Sequence, residues 1–166
     1  MVNKLTMHTE EDIWHILENV CDPEVPVLTI QDLGIIRKIK MQDSHSIEIT
    51  ITPTYSGCPA MNTIATQIRM ELAAHGFTHI TILEELSPAW TTDWMTEKGK
   101  EKLSAFGITP PQYTTKNNPR EWDAIIPCPR CHSTKTELIS QFGSTACKAL
   151  YKCLDCLEPF DYFKCH

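Results

Sequence analysis

Ile13, Ile16, Leu17 and Val20 recur at helical spacing behind Thr9-x-x-Asp12, the arrangement of a capping box, and predict an N-terminal helix. That helix must stop before Asp22-Pro23-Glu24-Val25-Pro26, because neither proline can continue it. From Leu33 to Ile39 the pattern turns extended. After a polar turn at 42–45, Ile47, Ile49 and Ile51 alternate with Glu48, Thr50 and Thr52, as in a half-buried strand, and the two strands read as a hairpin. Met61, Ile64, Ala65, Ile68 and Leu72 then form one stripe behind Pro59, which predicts a second helix ending near Gly76. Residues 79–83 alternate again. Strand, helix, strand requires a crossover, so one pairing in the sheet is expected to be parallel. A third helix is expected over 96–106. The prediction is an α+β domain over residues 1–106, of order α-β-β-α-β-α, with a three-stranded mixed sheet.

Residues 107–126, rich in proline and polar side chains, lack periodicity and read as a linker. Residues 127–166 form a second, cysteine-rich module. Of eight cysteines, only Cys21 and Cys58 precede residue 128. The 166 residues are 42% apolar and 22% charged, with a formal net charge of −6, so the chain exerts no general pull on nucleic acid or an anionic membrane. No apolar run approaches the roughly 18 residues that span a bilayer. The N-terminal stretch MVNKLTMHTEED has no apolar signal core, and a cytoplasmic protein is expected. In a reducing compartment, paired cysteines are more often metal ligands or redox groups than structural disulfides.

Cys128-Pro-Arg-Cys131 and Cys153-Leu-Asp-Cys156 are two C-x-x-C knuckles separated by 21 residues. Each directs two sulfurs to one point, and two knuckles on neighbouring hairpins supply the four thiolates of a tetrahedral zinc site. So short a module also needs a metal to fold, since its own core is too small. The predicted element is a zinc ribbon; the alternatives are an iron–sulfur cluster on the same thiolates, or a redox-active dithiol. Cys147 and Cys165 are left over, either as small buried residues of the ribbon or as secondary thiols near its metal.

Cys58 stands in TPTYSGCPAM at the predicted start of the second helix, where the helix dipole favours thiolate and Gly57 would leave the sulfur accessible. Packing at the helix cap is the competing role. Asp22 and Glu24 have two readings as well: acceptors for backbone N–H groups in their turn, or hard ligands beside a soft one.

Residues 12–86 resemble the SufT-like domain, through Asp22-Pro23-Glu24-Val25, Asp32-Leu33-Gly34 and Thr52 to Cys58-Pro59. That family is associated with iron–sulfur cluster delivery or assembly. The resemblance implies that Cys58, with Asp22 or Glu24, engages iron or a labile cluster in transit. Further stretches, PAWTTDWMT (88–96), ELISQFGSTACKALYKC (137–153) and EPFDYFKC (158–165), resemble the PaaD family of phenylacetate-CoA oxygenase components, over nearly the whole chain. This implies an accessory role beside the ring-epoxidising di-iron monooxygenase, maturing metal centres, with the oxygenase and its iron–sulfur reductase as partners. Cys58 alone cannot hold a cluster, so a homodimer or a client-completed site is expected. The chain has no Glu-x-x-His pairs for a di-iron centre and no Gly-rich nucleotide loop, and no catalytic residues are assigned. The alternatives are a structural or regulatory member of the oxygenase complex, and a thiol redox protein.

Overall fold

The computed structural model describes residues 8–112 and 125–164. Helix α1 (Glu10–Leu17) begins at its predicted cap: the Thr9 hydroxyl accepts the Asp12 N–H at 3.3 Å, and the Thr9 N–H donates to Asp12 Oδ2 at 2.7 Å. These bonds satisfy two of the donors that every helix start leaves open. Strands β1 (Ile36–Met41) and β2 (Ser46–Ile51) form the antiparallel hairpin, and β3 (His79–Glu84) adds to β2 in parallel, giving the order β1-β2-β3. The period-two pattern of β2 sends Ile47, Ile49 and Ile51 into the core. Helix α2 (Ala60–Ala74) closes over them with Met61, Ile64, Ile68 and Leu72, and also packs on α1. Each such side chain contributes about 1.5–3 kcal/mol by leaving water. Helix α3 (Glu97–Phe106) completes the predicted α+β order.

The cysteine-rich module is a second sheet. It contains β4 (Ile108–Thr109), β5 (Thr136–Ser140), β6 (Lys148–Cys153) and β7 (Pro159–Phe163), in the order β4-β7-β6-β5. Here the linker expected over 107–126 needs correcting at both ends. Ile108 and Thr109 pair in parallel with Asp161 and Tyr162, and the Thr109 hydroxyl donates to the Pro127 carbonyl at 2.9 Å. Ile126 is fully buried among the ribbon's Tyr151, Phe160 and Tyr162. A two-residue strand is too short to show alternation, and its partner lies about fifty positions further along. The middle of that segment, 113–124, lies outside the described residues.

The two sheets share a core. Phe163, Cys147 and Ile108 from the second sheet are buried in the same cluster as Val25, Leu33 and Trp90 of the α+β domain. Trp90 donates its indole N–H to the Leu33 carbonyl at 2.9 Å and meets the ring of Phe163 edge-on at 6.4 Å between centroids. Trp94 sits in a single 3₁₀ turn, Thr92–Trp94, with the Arg37 guanidinium 3.7 Å above its ring centroid. Among the described residues no helix is long and apolar enough to cross a membrane.

Candidate functional site

Two sites emerge, one in each sheet's territory. In the ribbon, Cys128, Cys131, Cys153 and Cys156 bring their sulfurs within 4.8 Å of one another. The Cys128–Cys156 and Cys131–Cys153 sulfur pairs are 3.8 and 3.5 Å apart. A tetrahedron with Zn–S bonds of about 2.3 Å has edges of about 3.8 Å, so the four donors fit a zinc ion with little adjustment. The two knuckles repeat one backbone shape. The residue after the second cysteine of each, His132 (φ 59°) and Leu157 (φ 64°), is left-handed. Such a conformation is unfavourable for a side chain and persists only where its surroundings impose it. Salt bridges cross between the knuckles: Arg130 pairs with Glu158, and Lys135 reaches Asp155 at 3.3 Å. Backbone N–H groups of Cys156 and Asp155 aim at Cys153 and hold its thiol down, to about 7, while hydrogen bonding with Cys153 and the neighbouring sulfurs pushes Cys131 up to about 12. Zinc bound there would supply the closure of the ribbon that its small core cannot.

The second site lies where the α+β domain meets the ribbon. The prolines around Val25 fold residues 21–29 into a closed turn, with Asp22 N–H donating to the Leu28 carbonyl at 2.9 Å. Asp22, 8% exposed, accepts the Glu24 and Val25 N–H groups on one oxygen, Oδ1, at 2.7 and 2.8 Å. The turn role predicted for it is therefore real. Glu24 is half-buried, and its carboxylate makes no hydrogen bond to the described residues.

Cys58 follows Gly57 (φ 80°), whose left-handed backbone turns the chain into α2, and its own N–H donates to the Tyr55 carbonyl at 3.2 Å. The expectation of an accessible, dipole-activated thiol does not hold. Cys58 is only 9% exposed, and burial pushes its thiol above the ordinary value. The Ala60 N–H and the Tyr55 hydroxyl favour the thiolate, but burial and the Glu24 and Asp22 carboxylates outweigh them. Desolvation also raises Asp22 and Glu24.

Cys147 is not beside the ribbon's metal ligands. It is 4% exposed, sits in the α+β core cluster that contains Cys58, and feels the same Glu24 and Asp22 carboxylates. Lys148 follows it, 5% exposed, with its ammonium 3.7 Å from Asp161 and its charge acting on Asp22 and Glu24. Cys165 lies outside the described residues. Sequence reasoning missed Tyr55 and Lys148: Tyr55 is marked only by standing one turn before Cys58, and nothing local marks Lys148.

An α+β domain of this topology, carrying a buried thiol and an acidic turn and joined to a ribbon whose four thiols gather round one point, defines a two-module protein with a candidate metal centre in its second module. Residues 10–76 match the family described as iron–sulfur cluster assembly protein, and residues 111–164 match the PaaD zinc beta ribbon domain. The chain is 49% identical over 93% of its length to an Escherichia coli (strain K12) protein provisionally named as the D component of 1,2-phenylacetyl-CoA epoxidase, covering 92% of that protein. It is 33% identical to an Fe-S protein maturation auxiliary factor of Porphyromonas gingivalis, over 61% of this chain and 97% of that one. A solved domain of unknown function, DUF59, from Bacillus anthracis superposes with a TM-score of 0.53 at 26% identity, over 57% of this chain and 90% of that one. The chain belongs to the PaaD family of phenylacetyl-CoA epoxidase components.

Proposed function

We propose that this protein is a non-catalytic maturation factor that passes iron or an iron–sulfur cluster, as cargo, to the ring-epoxidising oxygenase system acting on phenylacetyl-CoA. The observation that carries the reading is Cys58: a buried thiol at a helix start, whose ionisation is opposed by the charges of Asp22 and Glu24, inside a domain of the iron–sulfur assembly family. A carrier needs ligands that are present but incompletely saturated, because a closed cage would not release its cargo. Glu24, whose carboxylate accepts no hydrogen bond from the described residues, and Cys58, held mostly as thiol, meet that requirement. An arriving cation would displace the Cys58 proton. The names of two relatives support the two halves of the proposal, epoxidase component and Fe-S maturation factor. The oxygenase is the proposed partner, and its iron–sulfur reductase the proposed client. Zinc, held by Cys128, Cys131, Cys153 and Cys156, is the proposed resident metal, and the ribbon the client-docking module.

The test is reconstitution of the client in cells carrying either wild-type protein or Cys58→Ser. Client iron and acid-labile sulfide are expected to fall several-fold with the variant, while its zinc content and circular dichroism match wild type. Full client loading by Cys58→Ser would overturn the proposal.

A further inference from the structure

We propose that the outer edge of β3, with the cleft at its carboxyl end, docks an extended segment of a partner protein, apolar at alternate positions with lysine or arginine between them. The proposal stands whether or not Cys58 handles cargo. Strands at the edge of a sheet offer unpaired N–H and C=O groups to a passing chain, and proteins ordinarily defend them. Among the described residues the two sheets have four such edges, β1, β3, β4 and β5, and three of them are defended. Strand β1 carries the exposed Lys38 and Lys40 and a bulge between Ile36 and Lys38. Strand β4 is two residues long. Strand β5 is interrupted by a bulge between Leu138 and Ser140. Strand β3 has no such device: its register with β2 is unbroken from His79 to Glu84, and Ile80 to Leu83 include no charge and no proline. The His79 and Glu85 N–H groups donate to the His45 and Ile51 carbonyls at 3.1 and 2.9 Å. Alternate residues from His79 to Glu85 therefore face β2, while Ile80, Ile82 and Glu84 turn their N–H and C=O groups outward. No strand among the described residues meets them there.

The edge leads into a cleft of about 380 Å³, walled by Leu86, Ala89 and Trp90 after β3 and by Pro53 and Tyr55 after β2. Leu83 and Leu86, 44% and 59% exposed, continue the apolar surface from the edge to the cleft. A strand edge gives main-chain hydrogen bonds and an apolar cleft takes an alternate side chain, which together make recognition by strand addition. The rim sets the charge of the partner. Glu84 and Glu85 are exposed and form no salt bridge among the described residues. Cationic side chains beside the apolar ones are attracted there and acidic ones repelled. A second copy of this chain fits less well, because β3 against β3 would bring the same negative charges from each copy into one interface. The Tyr55 carbonyl accepts the Cys58 N–H at 3.2 Å, so a segment seated in the cleft lies beside the Cys58 turn.

The experiment is fluorescence anisotropy of a labelled, acetylated heptapeptide of alternating lysine and valine with phenylalanine at its centre, titrated with the zinc-loaded, full-length protein. Wild type is expected to bind it saturably. Glu84→Pro, which removes an outward N–H but no bond to β2, should weaken binding about tenfold. Glu84→Lys reverses the rim charge without touching the ladder and should do the same, so the test survives if the proline variant fails to fold. Leu86→Ser should weaken binding through the cleft. The peptide with glutamate in place of lysine, and the peptide N-methylated along its backbone, should bind far more weakly than the parent. Circular dichroism and zinc content of the variants should match wild type. Absence of saturable binding by wild type, or equal binding of the N-methylated peptide, would overturn the proposal. So would a wild-type dimer in sedimentation that Glu84→Lys splits, because the edge would then belong to a second copy.

Discussion

Replacing Gly34 by alanine adds a methyl group at a point where the backbone of the Trp90–Trp94 segment presses on the Asp32-Leu33-Gly34 turn. Gly34 has φ 67°, and an added Cβ would lie 2.9 Å from both the carbonyl carbon and Cβ of Trp94, with the carbonyl oxygen closer still. Left-handed backbone costs alanine about 1–2 kcal/mol. Overpacking against backbone, which cannot rotate away, adds about 1–3 kcal/mol. The sum, about 3 kcal/mol, is a large part of an ordinary domain's stability. Gly57→Ala isolates the two effects, because Gly57 has φ 80° but nothing within 4 Å of the position its Cβ would take. Urea unfolding of the zinc-loaded protein, read by tryptophan fluorescence, makes the comparison. With a slope of about 2 kcal/mol per molar, Gly34→Ala should lower the midpoint by about 1.5 M and Gly57→Ala by about 0.5–1 M. The damage should also reach the ribbon, because Leu33 accepts the Trp90 indole N–H and Trp90 packs on Phe163. Equal shifts in the two variants would refute the steric argument.

Two further outcomes follow from the titrating groups. Burial raises Asp32, but Lys102 and the Thr29 N–H more than reverse it, so its carboxyl sits below 3.8 in the folded protein. The stabilisation is therefore complete above about pH 4 and lost as pH falls through the lowered value; Asp32→Asn should cost about 1–3 kcal/mol at neutral pH and flatten the acid limb of a stability–pH curve, and an unchanged limb would refute it. The Cys58 thiol, raised above 9.0, should alkylate slowly with iodoacetamide at neutral pH and accelerate only above pH 9, measured by peptide mass spectrometry. Tyr55→Phe removes a hydrogen bond that favours the thiolate and should slow the reaction further; rapid modification at neutral pH would contradict the burial argument.

The elements were legible wherever a local pattern is its own cause. The Thr9/Asp12 box, the Ile47-Ile49-Ile51 alternation and the α2 stripe each declare a face that must be buried, and each formed as expected. The two C-x-x-C knuckles are equally local, since each sets the spacing of its own pair of sulfurs. What periodicity could not carry was the meeting of distant segments. Strand β4 exists only because β7 offers it an edge. Cys147 reads from its neighbours as part of the ribbon, yet Phe163 and Trp90 seat that ribbon so that the thiol enters the other domain's core.

The character of Cys58 turned on the same difference. Its place at a helix start argues for an activated thiolate, and that part was written in the chain. Its pKa depends on what surrounds it, and the surroundings are the Asp22 turn, Tyr55 and the docked ribbon, whose burial outweighs the helix. Sequence alone determined the elements, the four-thiolate knuckles and the identity of the thiols. Only the tertiary structure decided which core each remaining thiol enters and how easily it ionises, because desolvation and charge act through space and take no account of order along the chain.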